Sequence, residues 1–326
     1  MAKANKATVF IPVYNGEHDH LEETLEALYR QKTDFAWDVF ITDSGSKDNS
    51  VEIIERFAEK YGNIRLKKIA KEEYSHGGTR QMAAEISSGE IMVYLSQDAV
   101  PYNENWLTEM VAPFTLNPNI VGVVARQKPR LTCFPAMKYD IEAVFREQGV
   151  EDALTLWTRS DEALKGTYTK ESFYSDVCSA APRDFLVSKI GYRQVAYSED
   201  YEYGKDILDA GYIKVYNAKA IVEHSNDVLL NQYKKRIFDE MYHIRINSGT
   251  TTSISIATLV LNTLKGSWKD SWKICRDRDF SWKRKLYWLF VNPLFHLEKW
   301  RGVRLANKVD VTADIRQYSL ERNQER

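Results

Sequence analysis

Over its first hundred residues the chain alternates short apolar runs with amphipathic ones, and this order narrows the class of fold open to it. ATVFIPV, WDVFIT, IRLKKI and EIMVYLS have the length and composition of buried strands. Between them, DHLEETLEALYR sets Leu21, Leu25 and Leu28 on one helical face, with Asp19 three residues before Glu22 as its cap. NSVEIIERFAEKYG does the same with Val51, Ile54, Phe57 and Ala58 and stops at Gly62; TRQMAAEIS gives a third helix, closed by Gly89. A βαβαβαβ order predicts an α/β fold, a mostly parallel sheet flanked by helices. After Pro113, Pro118, Pro129 and Pro135 helical runs return at MKYDIEAVFREQG, SEDYEYGKDILDAGY and VLLNQYKKRIFDEMYHIRINS.

Such sheets bind ligands at the carboxyl ends of their strands, and those ends are polar here: PVYNGE, TDSGSKDNS and LSQD. No GxGxxG follows the first strand, which argues against a dinucleotide fold. Asp43 can accept from a pyrimidine ring N–H or a ribose, although DSGS is equally good turn chemistry. In YSHGGTRQMAAE, two glycines lead into a helix whose first-turn Arg80 is unfavourable beside the positive helix end unless an anion is near; a diphosphate would meet that need. Asp98, where YLSQDAVP breaks off, makes sense if a divalent cation bridges it to phosphate oxygens. His224, just after a strand-like run, is a candidate second ligand. Glu199 and Asp200 open a helix, where acids favour the dipole and where a carboxylate pair can supply a general base.

Charge is unevenly spread. Residues 264–304 hold eleven Lys and Arg against four acids, net +7, while the first 263 residues sum to −8 and the whole chain to −1. The basic section carries Trp268, Trp272, Trp282, Trp288 and Trp300, a combination suited to a membrane headgroup layer. The alternative is a helical subdomain that packs its tryptophans internally or in a homo-oligomer. A nucleic-acid-binding role would leave the strand-end acids unexplained, so no nucleic-acid partner is expected. A nucleotidyltransferase on the same fold would need a Gly-rich basic loop after the first strand, and PVYNGEHDH is not one. Three scattered cysteines suggest no disulfide framework. The N-terminal MAKANKATVFIPVYN has no signal-peptide pattern and no run is long enough to span a bilayer, so a cytoplasmic location, peripheral on the inner face of the plasma membrane, is expected.

VFIPVYNGE, VFITDSGSKDNS, SHGGTRQMAA, YLSQDAVP and YSEDYEYGKDILDAGY, in this order, resemble an inverting family 2 glycosyltransferase of the GT-A fold. SHGGTR and LSQDAVP particularly resemble bacterial rhamnosyltransferases of O-antigen and streptococcal rhamnan synthesis. The resemblance implies transfer of L-rhamnose from dTDP-β-L-rhamnose, with inversion, to a hydroxyl of a lipid-linked saccharide. It implies that Tyr14, Asn15, Glu17 and Asp43 meet the nucleoside, that His76, Gly77, Arg80 and Gln97 meet the rest of the donor, and that Asp200 is the base with Glu199 beside it. The family's usual Asp-x-Asp reads Ser96-Gln97-Asp98, which shifts metal binding, of Mg²⁺ or Mn²⁺, toward Asp98 with His224. The implied organisation is a GT-A catalytic domain at 1–225, a helical region at 226–263 completing the acceptor side, a basic aromatic membrane-surface or oligomerisation segment at 264–304, and a polar tail at 305–326.

Overall fold

A computed structural model describes residues 4–195, 198–226, 228–248, 253–310 and 313–320; residues 227 and 249–252 of the 226–263 region and 311–312 and 321–326 of the polar tail lie outside it. The elements run β1 Lys6–Val13, α1 Leu21–Leu28, β2 Ala36–Asp43, α2 Ser50–Tyr61, β3 Ile64–Lys68, α3 His76–Ile86, β4 Ile91–Leu95, β5 Val100–Pro101 and α4 Trp106–Val111. They continue as β6 Ile120–Lys128, α5 Pro135–Gln148, β7 Leu154–Trp157, β8 Cys178–Pro182, α6 Arg183–Ser188, α7 Glu199–Asp209, β9 Ile213–Glu223, α8 Leu230–Ser248, α9 Ile256–Arg276 and α10 Trp282–Ala306. Two units result, residues 1–128 with 142–224, and residues 129–141 with 225–326.

The first unit is built on a sheet of order β3-β2-β1-β4-β8-β6-β9-β5, with β7 also on β9. Its first four strands are parallel, as the alternating pattern predicts. Past β4 the sheet becomes mixed, because β8 runs antiparallel to both β4 and β6 while β6 and β9 are parallel. The alternation of β1 shows why it sits centrally: Val9, Ile11 and Val13 join one buried cluster and Phe10 joins the cluster on the opposite face with Tyr94. On α1, Leu21, Leu25 and Leu28 are fully buried, each worth about 1.5–3 kcal/mol of transfer free energy. An alanine in place of the fully buried Ile54 on α2 would cost about 2–5 kcal/mol.

Two expected helix signals are replaced. The N-cap of α1 is His20, in the left-handed region, and Asp19 instead accepts from the Gln97 side chain at 2.8 Å. Helix α3 ends at Ser87, and Gly89 lies flat against β1, where a Cβ would come 2.4 Å from the Thr8 nitrogen. Gly89 therefore serves close backbone approach.

The second unit has its own core, in which Phe134 stacks on Phe295 with ring centroids 4.0 Å apart and Tyr233, Ile274 and Trp288 pack around them. Trp300 is partly buried against this cluster, whereas Trp268, Trp272 and Trp282 are exposed. The tryptophans thus divide between buried and exposed positions. Among the described residues, no helix is long and apolar enough to cross a membrane.

Candidate active site

The register of the sheet explains why the β4 run stops where it does. After Leu95 the chain turns through Ser96, Gln97 and Asp98 so that Val100 can pair with Glu223 of β9, antiparallel. Asp98 then lies beside the residue that follows β9, and His224 Nε2 stands 3.2 Å from Asp98 Oδ2. The other face of the imidazole is held by Gln127: its Nε2 donates to Ser175 at 3.0 Å, leaving Oε1 to accept from His224 Nδ1 at 3.1 Å. With the proton on Nδ1 the Nε2 lone pair faces the carboxylate; with it on Nε2 the ring donates to Asp98. In the first case two acceptors at that separation repel unless a cation or a second proton lies between them.

The loops after β1 and β2 are tied to each other. Tyr14 N–H donates to Gln97 Oε1 at 2.9 Å and Gln97 Nε2 donates to Tyr14 O at 3.3 Å, so Gln97 acts as a brace between two strand ends. Asn15 N–H donates to Ser46 and its Oδ1 accepts from Lys47 N–H, with Asn15 in a left-handed conformation at φ 48°. Glu17 accepts from the Asn49 side chain and backbone, bonds that hold its carboxyl below the usual carboxylate range. Asn15, Glu17 and Gln97, expected at the donor, each also bond between strand-end loops. The Tyr14 hydroxyl accepts from Lys71 Nζ at 3.0 Å. Asp43 is 3% exposed: Oδ2 accepts from Gly45 and Ser46 N–H in the expected turn, while buried Oδ1 has no hydrogen-bond partner among the described residues.

Arg80 departs most from expectation. It is 7% exposed and paired with two carboxylates, Nη1 to Glu199 Oε1 at 2.6 Å and Nε to Asp176 Oδ2 at 3.1 Å. Because α3 begins at His76, Arg80 is its fifth residue and lies beyond the first turn expected for it, and its countercharges are the protein's own carboxylates. The helix end is also filled: Ser75 Oγ accepts from Gly78 N–H, and a Cβ on Gly77 would come 2.2 Å from the Arg193 carbonyl. Gly77 is a packing residue, and the open diphosphate cradle expected there is absent among the described residues. His76 Nδ1 lies 3.1 Å from the Tyr74 hydroxyl.

Around Arg80 the structure assembles Asp176, Glu199 and Asp200. Ser198, at φ 64°, turns the chain into α7 and brings the last two to the cluster. Asp176 accepts from Ser179 Oγ and Tyr192 OH and donates its backbone N–H to Asp200 Oδ2 at 3.2 Å. Burial, then the charges of Glu199 and Asp176, push the Asp200 carboxyl up to about 8, against the opposing pull of Arg80. Burial also raises Asp176, with Arg80 holding it back. One guanidinium pairs with two of the three carboxylates, Asp176 and Glu199, so the cluster carries more negative than positive charge and a proton is retained more readily than at an ordinary surface acid. Sequence patterns miss Asp176 because a lone acid ahead of the short strand in SDVCSAAP looks like a turn; the unexplained Arg80 was the available sign of a buried anion.

The Glycosyl transferase family 2 model matches residues 8–186. The O-antigen chain rhamnosyltransferase WbaN of Salmonella anatum is 30% identical over 234 residues, 71% of this chain and 70% of that protein. The O-antigen chain rhamnosyltransferase RfbN of Salmonella typhimurium is 26% identical over 236 residues, 72% and 71% of the two chains. In fold, the chain is similar to the mannosyltransferase PcManGT from Pyrobaculum calidifontis, solved with GDP-Man and Mn²⁺, at TM-score 0.58 and 16% identity over 95% of this chain and 89% of that one. It is also similar to S. aureus TarS 1-349 in complex with UDP-GlcNAc, at TM-score 0.51 and 14% identity over 93% and 90%.

Proposed function

The chain belongs to glycosyl transferase family 2 and is a glycosyltransferase, and on that premise we propose that it transfers L-rhamnose from dTDP-β-L-rhamnose, with inversion, to a hydroxyl of a lipid-linked saccharide at the inner face of the plasma membrane. The choice of rhamnose is supported by the two O-antigen rhamnosyltransferases it resembles over more than two thirds of its length.

The observation that carries the catalytic part is the placement of Asp200 in the first turn of α7, beside Glu199 and bonded to the Asp176 backbone, where burial and the neighbouring carboxylates push its carboxyl up. In its ionised form Asp200 takes the proton of the acceptor hydroxyl while that oxygen attacks the anomeric carbon opposite the leaving group, and one displacement inverts the centre. Glu199 and Asp176 keep Asp200 basic, Arg80 pairs with those two acids, and the Asp176 backbone holds Asp200 beside them. Asp43 Oδ1, buried and without a hydrogen-bond partner among the described residues, suits a donor from the nucleoside, with Tyr14 beside that loop.

The Asp98–His224 pair fits a divalent cation by chemistry: one carboxylate, one imidazole lone pair, and an outer hydrogen bond from Nδ1 to Gln127. Asp98 and His224 would hold the ion, and phosphate oxygens of a bound donor could serve as further ligands, as Mg²⁺ sites commonly allow. Bound there, the ion supplies charge neutralisation for the leaving diphosphate.

The test is a panel of nucleotide sugars with a lipid-linked saccharide, with and without divalent metal. Metal-dependent dTDP release and an α-L-rhamnoside product are expected. Faster release from another nucleotide sugar would reassign the donor.

A further inference from the structure

Leu261, Leu264, Trp268 and Trp272 follow one another along α9 at spacings of three and four, which sets them within roughly 80° of each other around the axis. All four are exposed, Trp268 to 76% and Trp272 to 58%, while Leu259 and Ile274 on the opposite side are buried. A water-facing apolar stripe of this length marks an interaction surface. Its charge identifies the partner. Lys265 and Lys269 flank the stripe along one edge, and the only acid of the helix, Asp270, is turned inward against His296 at 2.7 Å. The outer side of α9 is therefore apolar and basic, with no carboxylate. A second copy packed antiparallel against it about a two-fold axis would oppose lysine to lysine.

We propose that this side of α9 docks on an anionic lipid bilayer, an inference that deepens the membrane-surface reading above and rests on it. Lysines at the phosphate layer, indoles at the headgroup boundary and leucines toward the acyl chains satisfy every exposed group on the stripe.

Flotation with phosphatidylcholine vesicles, and with phosphatidylcholine vesicles containing phosphatidylglycerol, tests it. The wild-type chain is expected on the mixed vesicles alone, released by salt. Lys265→Gln and Lys269→Gln should each weaken partitioning about fivefold, and Trp268→Ala with Trp272→Ala by about tenfold or more. The same variants should release dTDP from dTDP-β-L-rhamnose in lipid-free buffer at the wild-type rate, so loss of vesicle binding and loss of turnover are separate results. Equal binding of wild type to both vesicles, variants that bind like wild type, or a lipid-free dimer abolished by the tryptophan changes would overturn the assignment.

Discussion

Asp176 gives its backbone N–H to Asp200 Oδ2 at 3.2 Å, which ties the residue just ahead of β8 to the first turn of α7. The bond stabilises the ionised form of Asp200, but burial and the like charges of Glu199 and Asp176 outweigh it, and the carboxyl is pushed up to about 8. A base must be ionised to work, so turnover should climb with pH and level off above that value. Glu199→Gln removes one repelling charge, favours the ionised form and moves the midpoint of the pH–rate curve downward. An unchanged or raised midpoint would remove Glu199 from the control of Asp200.

Arg80 decides between a structural and a donor-binding role. Replacing it by methionine strands Asp176 and Glu199 without a countercharge, which should cost about 3–5 kcal/mol in urea unfolding at pH 8. The sign of the pH dependence follows from the raised Asp176 and Asp200 carboxyls. An acid whose folded-state value is raised contributes stability that is fully present below its unfolded value and is lost as pH rises through the folded one. The deficit of Arg80→Met should thus shrink toward pH 5, where the acids are protonated. Wild-type stability combined with lost donor affinity would return Arg80 to the diphosphate.

Gln127 holds the His224 ring by Nδ1, and outer bonds of this kind usually matter about 10- to 100-fold in metal affinity. Gln127→Ala should therefore raise the Mn²⁺ concentration needed for half-maximal dTDP release by about that factor. His224→Ala should raise it further. Equal metal curves for His224→Ala and wild type would exclude the imidazole as a ligand.

Much of the fold was legible because its first four strands and three helices carry local signals: two-faced apolar runs such as ATVFIPV, and amphipathic runs such as LEETLEAL. The antiparallel β8 was not, since CSAAP is too short and too small to declare a direction, which only its neighbours β4 and β6 impose. In the site, Asp98 and His224 could be paired in advance because both follow strand-like runs. The ion pairs of Arg80 could not be read in advance, since Asp176 and Glu199 lie about a hundred residues away and no local pattern links them. The Gln97 brace is invisible for the same reason: its bonds join loops separated by more than 75 residues.

The role of Asp200 as the base is tested most directly by Asp200→Asn, with kcat and the donor Kd measured together. Loss of the base should lower kcat by about 10²- to 10⁴-fold while dTDP-β-L-rhamnose still binds nearly as tightly as to wild type. A variant that turns over normally, or one whose donor affinity collapses while the remaining turnover persists, would contradict it.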